Sequence, residues 1–434
     1  MSTTLSVLRQ LVAGDLSEPE AASLSADERR EYARSCVYRH LDDMVASGYA
    51  PEDEEGLARS VLDALFGLGR LQGLIEDPDI ENIDVNGCDR VWVTYSDGSK
   101  ELVDPVAEND EELVELLRSA ASRFGLSERR FDLAKPELDL QLPDGSRLSA
   151  LMAVTRRPVL SIRRHRYSDL ALDDLVGLGT LSDEIGNFLR AAVRARKNIV
   201  VAGAMNAGKT TMLRALAAEI PARERIVTIE QAFELNLPGH RHPDLVALES
   251  RPANLEGEGQ ITVAELVRRA LRMNADRVIV GEVLGDEILP MLNAMSQGRS
   301  GSMCTIHADS SQGVFRRIAS YAVQAAERLP LEASNLLIAG SLHFVVFLES
   351  THSCVPCRSG SEGSRHFPAQ AGLRRFVSSI REVVDAEGSQ VVSNEVYRPG
   401  VDGRAERAAP LRPQTLDALV AAGYEVPGLA GVFP

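Results

Sequence analysis

The sequence predicts an α/β protein whose larger domain holds a mostly parallel sheet covered by helices on both faces. Two observations lead to this fold class. From Leu175 onward, segments with helical spacing alternate with short apolar runs rich in β-branched residues, which is typical of buried parallel strands joined by helices. One of these runs leads through a glycine-rich loop directly into a helical segment. The length of 434 residues is enough for about two or three domains with separate cores.

Composition and charge limit the class of protein and its partners. Apolar residues make up 44% of the chain and charged residues 25%, as in ordinary soluble globular proteins. The net charge of −16 disfavours nucleic acid as a partner, because it repels a phosphate backbone. The longest apolar run, residues 336–348, is interrupted by Ser341 and His343 and is shorter than the roughly 18 residues that a membrane span needs. The first residues lack the features of a signal peptide, so we expect a cytoplasmic protein.

The cysteines indicate a reducing compartment. Their number is odd and their positions are scattered, which favours free thiols over a disulfide framework. The five are Cys36, Cys88, Cys304, Cys354 and Cys357. Cys354 and Cys357 form a C-x-x-C motif near His352 and His366, which leaves a small metal site open, although two loop cysteines are the favoured interpretation.

The first part of the chain is predicted to be a helical appendage, residues 1–60, followed by an α+β domain, residues 61–166. The appendage carries apolar residues at helical spacing, and the domain carries short alternating runs. The predicted elements of the domain are strands at residues 80–85, 90–95, 138–142, 147–154 and 159–163, turns at Asp97–Gly98 and at residues 143–146, and a helix at residues 111–124. Residues 167–174 are polar and are assigned to a linker.

Residues 175–350 are predicted to form the larger domain. Its strands are predicted at residues 198–202, 225–230, 277–282, 301–307 and 343–348. Residues 351–372 have no apolar period and are predicted to be an exposed loop or insertion. Residues 373–434 are predicted to form a C-terminal hairpin and tail, with strands at residues 375–383 and 390–397 and a helix at residues 414–422.

Residues 203–210 match the pattern G-x-x-x-x-G-K-[ST] between a predicted strand and a predicted helix. In such a loop, backbone N–H groups curve around phosphates, the lysine reaches the β- and γ-phosphate oxygens, and the hydroxyl binds Mg²⁺. The helix N-terminus also favours anions. The predicted nucleotide-binding residues are Gly203, Asn206, Ala207, Gly208, Lys209, Thr210 and Thr211, with Thr210 also a metal ligand and Lys209 facing solvent. The alternative is an ordinary glycine turn.

Three further residues, Glu230, Glu282 and His307, end predicted strands, and the carboxyl ends of parallel strands meet at one edge of a sheet. Hydrolysis of a nucleotide needs a Mg²⁺ clamp, an oriented water and a positive group near the γ-phosphate. Glu282 is expected to bind Mg²⁺ together with Thr210. Glu230 is expected to orient or deprotonate the water, and His307 to contact the γ-phosphate. The alternatives are solvated strand ends for the glutamates and a buried core position for the histidine.

Several spaced motifs occur in a fixed order along the chain. They lie at residues 65–71, 143–147, 161–164, 178–181, 203–210, 228–230, 271–283, 305–308 and 379–383. In these motifs the sequence resembles the type II/IV secretion ATPase family, in its CpaF-like branch. The resemblance implies an N-terminal domain linked to a RecA-like P-loop NTPase domain that binds ATP and Mg²⁺. It also implies a cytoplasmic homo-hexamer that hydrolyses ATP for secretion or pilus assembly and joins the membrane only through an inner-membrane platform protein.

The resemblance also gives Arg163 a role, because the resembled family places arginines of the N-terminal domain near the nucleotide. Arg163 and Arg164 end the last predicted strand before the linker, and a guanidinium suits paired phosphate oxygens. We expect Arg163 to help catalysis, the alternative being a solvated basic run. The chain departs from the family where Gln231 replaces a common Asp, Leu284 a usual Arg, and Arg299–Ser300 a usual His-Asp pair.

Other functions share parts of this pattern. A GTPase would use a similar phosphate loop, but the sequence has no Asn-Lys-x-Asp motif for guanine. A DNA-translocating RecA-like ATPase would share the core, and the acidic charge argues against it. A nucleotide-gated scaffold with little turnover is the third alternative, and the departures from the family motifs keep it open.

Overall fold

The computed structural model describes residues 2–49, 51, 53–95, 98–124, 130–164, 169–251, 253–254, 257–296, 300–352 and 373–426. The described residues form two compact units, which divide between residues 166 and 167. Some predicted features lie outside the described residues. These are Asp97, the motif of Cys354 and Cys357 with His366, Arg299 and most of the segment 351–372.

The first unit begins with a cluster of helices that has its own core. The helices are α1 (Ser2–Asp15), α2 (Pro19–Ala22), α3 (Ala26–Ala46) and α4 (Glu54–Phe66). Helix α3 starts at a capping box, in which the Ser25 side chain accepts from the backbone N–H of Glu28. Val12, Val37 and Val61 are fully buried between these helices. These helices occupy the region that the sequence analysis assigns to a helical appendage, and α4 extends past residue 60.

The rest of the first unit is an α+β structure with one antiparallel sheet. Its elements are α5 (Leu71–Glu76), β1 (Ile80–Asn86), β2 (Val91–Tyr95), β3 (Lys100–Val103), α6 (Asp110–Phe124), β4 (Glu137–Gln141), β5 (Arg147–Leu151) and β6 (Val159–Arg163). The strand order is β3-β2-β1-β6-β5-β4. Strand β3 is missing from the sequence analysis, because it is a short, largely exposed edge strand without an apolar pattern.

The second unit is built around a nine-stranded sheet. Its elements are α7 (Leu172–Gly177), α8 (Asp183–Arg194), β7 (Ile199–Gly203), α9 (Lys209–Ala217), β8 (Ile226–Glu230), β9 (Leu245–Glu249), α10 (Val263–Ala270), β10 (Arg277–Val283), α11 (Ile288–Ser296), β11 (Met303–His307), α12 (Gly313–Gln324), α13 (Leu331–Ser341), β12 (Phe344–His352), β13 (Leu373–Glu387), β14 (Gln390–Pro399), β15 (Ala405–Arg407) and α14 (Pro413–Ala421). The strand order is β15-β14-β13-β12-β7-β11-β10-β8-β9. The pairings from β12 to β9 are parallel.

Strand β7 illustrates why this sheet is covered on both faces. Ile199 and Val201 belong to one core cluster, and Val200 and Ala202 belong to the cluster on the other face. Because successive side chains of a strand point to opposite faces, both faces need an apolar side chain at every position. The continuous apolar run that predicted a parallel strand is a direct consequence of this burial.

Three predictions for the second unit need correction. Strand β9 is missing from the sequence analysis, because it is a partly exposed edge strand. Helix α7 begins inside the predicted linker, and Leu172 and Leu175 are buried in the core of the second unit. The C-terminal hairpin exists, but β13 pairs with β12 and adds three antiparallel strands to the sheet. The sheet therefore continues beyond residue 350, the predicted limit of the larger domain.

Candidate nucleotide-binding site

The strand order brings the predicted site residues to one edge of the sheet. Strands β7, β11, β10 and β8 are neighbours and run parallel. Gly203, His307 and Glu230 are the last residues of their strands, and Glu282 is the last but one of β10. The carboxyl edge of a parallel sheet is the usual position of ligand sites in this class of fold.

The glycine-rich loop between β7 and α9 has two positions that require glycine. A Cβ at Gly203 would lie 2.5 Å from the carbonyl oxygen of Leu348 on the adjacent strand. Gly208 precedes α9 with φ 91°, in the left-handed region that glycine adopts without strain. The loop thus ends at the N-terminus of α9, where backbone N–H groups are available to an anion. Asn206 lies in the loop, two residues before Gly208, and Thr211 lies in the first turn of α9.

Lys209 is held inside the site, and the expectation that it faces solvent is wrong. It is only 8% exposed. Its Nζ donates to the carbonyl oxygen of Ala204 at 3.0 Å and lies 3.1 Å from Nδ1 of His307. A buried ammonium is costly unless it has partners, and these two contacts hold it beside the loop.

His307 joins the lysine to Glu282. Its Nε2 lies 2.8 Å from Oε1 of Glu282, and the two side chains are 33% and 38% exposed. An ammonium is only a donor, so we assign Nδ1 of His307 as the acceptor from Lys209. The ring proton is then on Nε2, which donates to the carboxylate. The alternative of a buried core histidine does not fit this exposure.

Glu230 has a different environment from Glu282. It is 3% exposed, so the alternative of a solvated strand end is wrong for this residue. Its Oε1 accepts from the backbone N–H groups of Glu234 and Leu235 at 2.9 and 2.8 Å. Burial raises the pKa of the Glu230 carboxyl to about 7 against the lowering effect of these bonds. Gly281 makes room for it, because a Cβ there would lie 2.9 Å from Cγ of Glu230.

The predicted metal ligands are both oxygen donors. Thr210 is partly exposed at the start of α9, and the Glu282 carboxylate is partly exposed at the same edge of the sheet. Hydroxyl and carboxylate oxygens suit Mg²⁺, which keeps several waters and takes few protein ligands. Within the described residues, no group of three or more His, Cys, Asp or Glu side chains could hold a metal. The two oxygen donors, the Thr210 hydroxyl and the Glu282 carboxylate, fit the ligand preference of Mg²⁺.

Comparison with known proteins identifies the family. Residues 67–405 match the family model T2SSE, described as Type II/IV secretion system protein. The chain belongs to this family. The match covers both the α+β sheet of the first unit and most of the nine-stranded sheet of the second.

Individual relatives of this Type II/IV secretion system protein cover much of its length. The Mycobacterium tuberculosis protein named "Putative conjugal transfer protein Rv3659c" is 36% identical over 277 residues, which are 61% of this chain and 76% of that protein. The "Type IV secretion system protein PtlH" of Bordetella pertussis is 32% identical over 313 residues, 65% of this chain and 89% of that protein. The structure of the Legionella pneumophila ATPase DotB matches with a TM-score of 0.50 at 17% identity, over 73% of this chain and 79% of that chain.

The fold is that of an N-terminal domain followed by a RecA-like domain, as the sequence analysis predicts. Each helix in the described part of this secretion-family chain is too short or too polar to cross a bilayer.

Arg163 lies at the end of β6 in the first unit and is exposed. The adjacent Arg164 instead donates to backbone carbonyls, those of Asp77 and Ile80, the latter at 3.0 Å. Arg163 is therefore the more exposed of the two arginines, and Arg164 is only partly exposed.

Two of the departures from the family motifs lie in the described residues. Leu284 is 49% exposed, and its backbone N–H donates to the carboxylate of Glu287, as does that of Gly285. Gln231 is exposed, and its carbonyl oxygen accepts from Oγ of Ser250 at 3.1 Å. Neither side chain is among the contacts that hold Lys209, His307 or Glu282.

Arg375 of strand β13 also contacts the site, although it is not among the residues predicted from the sequence. Its Nε donates to the carbonyl oxygen of Asn206 at 2.8 Å, so a residue of the C-terminal hairpin contacts the glycine-rich loop. The motif pattern contains no signal for this contact, because 169 positions separate the two residues. Gly281 lies inside the motif at residues 271–283, and a glycine directly before Glu282 is a sequence signal for a close approach by another group.

Proposed function

We propose that this chain is an ATPase of the CpaF-like branch that works as a homo-hexameric P-loop motor in secretion or pilus assembly. The observation that carries the proposal is the chain of contacts from Lys209 through His307 to Glu282 beside the loop at residues 203–210. It joins a phosphate-binding lysine to a carboxylate suited to a metal. An ordinary glycine turn between a strand and a helix does not require contacts among these three side chains.

Each group has a task in the proposed reaction. The phosphates are bound by the backbone N–H groups of the loop and by Lys209 and Thr211. Asn206, Ala207 and Gly208 form the part of the loop that surrounds the phosphates. Thr210 and Glu282 hold Mg²⁺, which when bound neutralises charge on the β- and γ-phosphates. His307 responds to the γ-phosphate through Lys209.

Glu230 and Arg163 complete the proposal. Glu230 orients or deprotonates the attacking water, and a pKa of about 7 suits a base that works near neutral pH. Arg163 supplies positive charge to the γ-phosphate from the N-terminal domain. An exposed arginine at a strand end is free to do so only in an arrangement of domains or subunits that brings it to the nucleotide.

The biological setting follows from the family. Relatives carry names that refer to conjugal transfer and to type IV secretion, and the DotB structure is described as an ATPase. We propose that this chain works in a machine of the same kind, at the cytoplasmic face of a membrane. Its partner there is an inner-membrane platform protein, and nucleic acid is not its substrate because the chain carries a net charge of −16.

The test is ATP binding and hydrolysis by the purified chain and by Lys209→Ala. The substitution removes the ammonium that addresses the β- and γ-phosphates, so we expect turnover to be abolished. Lys100→Ala is the control, since it removes the same charge from an exposed edge strand of the first unit. Unchanged hydrolysis by Lys209→Ala would refute the phosphate-loop assignment.

The competing functions give different results in the same assays. GTP that displaces ATP at equal concentration would favour a GTPase. Stimulation of hydrolysis by DNA at physiological salt would favour a DNA translocase. Binding of ATP without turnover by the parent chain in any oligomeric state would favour a nucleotide-gated scaffold.

A further inference from the structure

Arg375 connects the C-terminal hairpin to the glycine-rich loop. Strand β13, which carries it, lies next to β12, and β12 lies next to β7, the strand that leads into the loop. The guanidinium Nε of Arg375 donates to the carbonyl oxygen of Asn206 at 2.8 Å. Its Cδ lies 3.3 Å from the point where a Cβ at Gly208 would stand. Both the charged end and the aliphatic stem of Arg375 therefore lie against the loop.

The contact fixes the direction of one peptide group. In a planar trans peptide the C=O and the following N–H point in opposite directions, and no cis peptide occurs among the described residues. When Arg375 holds the carbonyl of Asn206, the N–H of Ala207 is directed to the opposite side, where it donates to the carbonyl oxygen of Ala204 at 3.3 Å and closes a turn within the loop. A charged donor on the carbonyl also polarises the peptide and makes its N–H a stronger donor.

We propose that Arg375 is a positioning residue for nucleotide binding, which holds the loop backbone in its phosphate-binding conformation. The proposal rests on the proposed ATPase function and adds the C-terminal hairpin to the site. Arg375 acts through the peptide between Asn206 and Ala207, and not by contact with the transferred phosphoryl group. The ligand class is a nucleoside di- or triphosphate.

This role has a kinetic signature. Loop N–H groups bind the α- and β-phosphates, which ADP and ATP share, so Arg375 stabilises the bound ground state and the transition state equally. Loss of such uniform binding raises KM and leaves kcat unchanged. An arginine that neutralised charge on the γ-phosphate would instead lower kcat.

The experiment compares Arg375→Ala, Arg375→Lys and the control Arg374→Ala. Arg374 is the adjacent residue of β13, is exposed and pairs with Thr351, so its loss changes the net charge equally without touching the loop. We measure the dissociation constants of ADP and ATP, the KM and kcat of hydrolysis, and the melting temperature without nucleotide. A hydrogen bond to a charged group contributes enough that Arg375→Ala should weaken both nucleotides by about 10-fold or more.

The expected result is an equal loss of ADP and ATP affinity in Arg375→Ala, a raised KM, an unchanged kcat and parent-like values for Arg374→Ala. Arg375→Lys should recover only part of the affinity, because an ammonium lacks the planar Nε–H. Affinities within twofold of the parent, an equal loss in Arg374→Ala, or a fall in kcat at constant KM would each overturn the inference. If the parent itself binds neither nucleotide, the proposed function fails, which is a separate result.

Discussion

Nε2 of His307 lies 2.8 Å from Oε1 of Glu282, and the other ring nitrogen faces Nζ of Lys209 at 3.1 Å. One imidazole thus contacts both the phosphate-loop lysine and the carboxylate that we assign to Mg²⁺. In the proposed site, a turn of Lys209 toward a phosphate would remove the donor to Nδ1 of His307, so we expect the three side chains to respond to the nucleotide together. Substitutions of these side chains should therefore be distinguishable by whether nucleotide binding or turnover is lost.

Glu282→Gln should keep ATP binding and lose turnover. The substitution removes the charge that we assign to the metal but leaves the loop and Lys209 in place, and we expect kcat to fall by about 10² or more, by analogy with loss of a charged catalytic group. Glu249→Gln is the control, because Glu249 also ends a strand at this edge, on β9. Hydrolysis by Glu282→Gln at the parent rate would contradict the assigned role.

His307→Ala should lower kcat for ATP while ADP binding changes little. The variant removes the contacts to both Lys209 and Glu282, but it leaves the loop N–H groups that bind the phosphates shared with ADP. The measurement is kcat together with the dissociation constants of ADP and a non-hydrolysable ATP analogue. A large loss of ADP affinity would instead mean that the histidine maintains the loop itself.

Glu230→Gln should bind ATP and lose turnover, by about 10² or more for a general base. The amide keeps an oxygen that can accept from the N–H groups of Glu234 and Leu235, so the backbone that the carboxylate holds should remain in place. Single-turnover hydrolysis with bound ATP measures the effect directly. Parent-like turnover would show that Glu230 only holds the backbone that follows β8.

The same variant makes a prediction about stability. The pKa of Glu230 is raised from 4.5 to about 7 in the folded protein, so the folded state binds the proton more tightly than the unfolded state. Glu230 therefore lowers stability progressively as the pH rises from about 4.5 to 7 and by a constant amount above that.

The Glu230→Gln variant has no carboxyl to ionise at this position, so it should not lose stability in this way. The loss of unfolding free energy in the parent is on the order of 3 kcal/mol at pH 8. The melting temperatures of parent and variant should nearly coincide near pH 4.5 and separate as the pH rises, with the variant melting higher. A constant difference over this pH range would contradict the raised pKa.

Hydrolysis should depend on an oligomer and on Arg163. A cationic group from another domain or subunit can contribute roughly 10³ or more to kcat, and Arg163 is exposed at the end of β6. Specific ATPase activity should therefore rise with protein concentration in the parent, and Arg163→Ala should retain ATP binding but lose turnover.

Arg156→Ala is the control for this experiment, because Arg156 is an exposed arginine in the same unit. Concentration-independent activity from a monomer would remove the oligomer requirement. Full turnover by Arg163→Ala would remove the arginine from the site.

The sequence alone determined the local parts of this protein. The strand, glycine-rich loop and helix around Lys209 are contiguous, so their residue pattern carries the steric and hydrogen-bonding requirements of the loop. The apolar runs also predict the parallel strands, because burial on both faces of the sheet requires an apolar residue at each position. The short edge strands β3 and β9 escaped prediction, because partial exposure removes that demand.

Only the tertiary structure decided what each site residue contacts. Glu230 and Glu282 both look like strand-end glutamates in the sequence, yet one is buried with a raised pKa and the other is partly exposed beside His307. Arg375 reaches Asn206 across 169 positions of sequence. Such contacts depend on which strands are neighbours in the sheet. That spatial order follows from the packing of whole elements, which no local pattern of residues specifies.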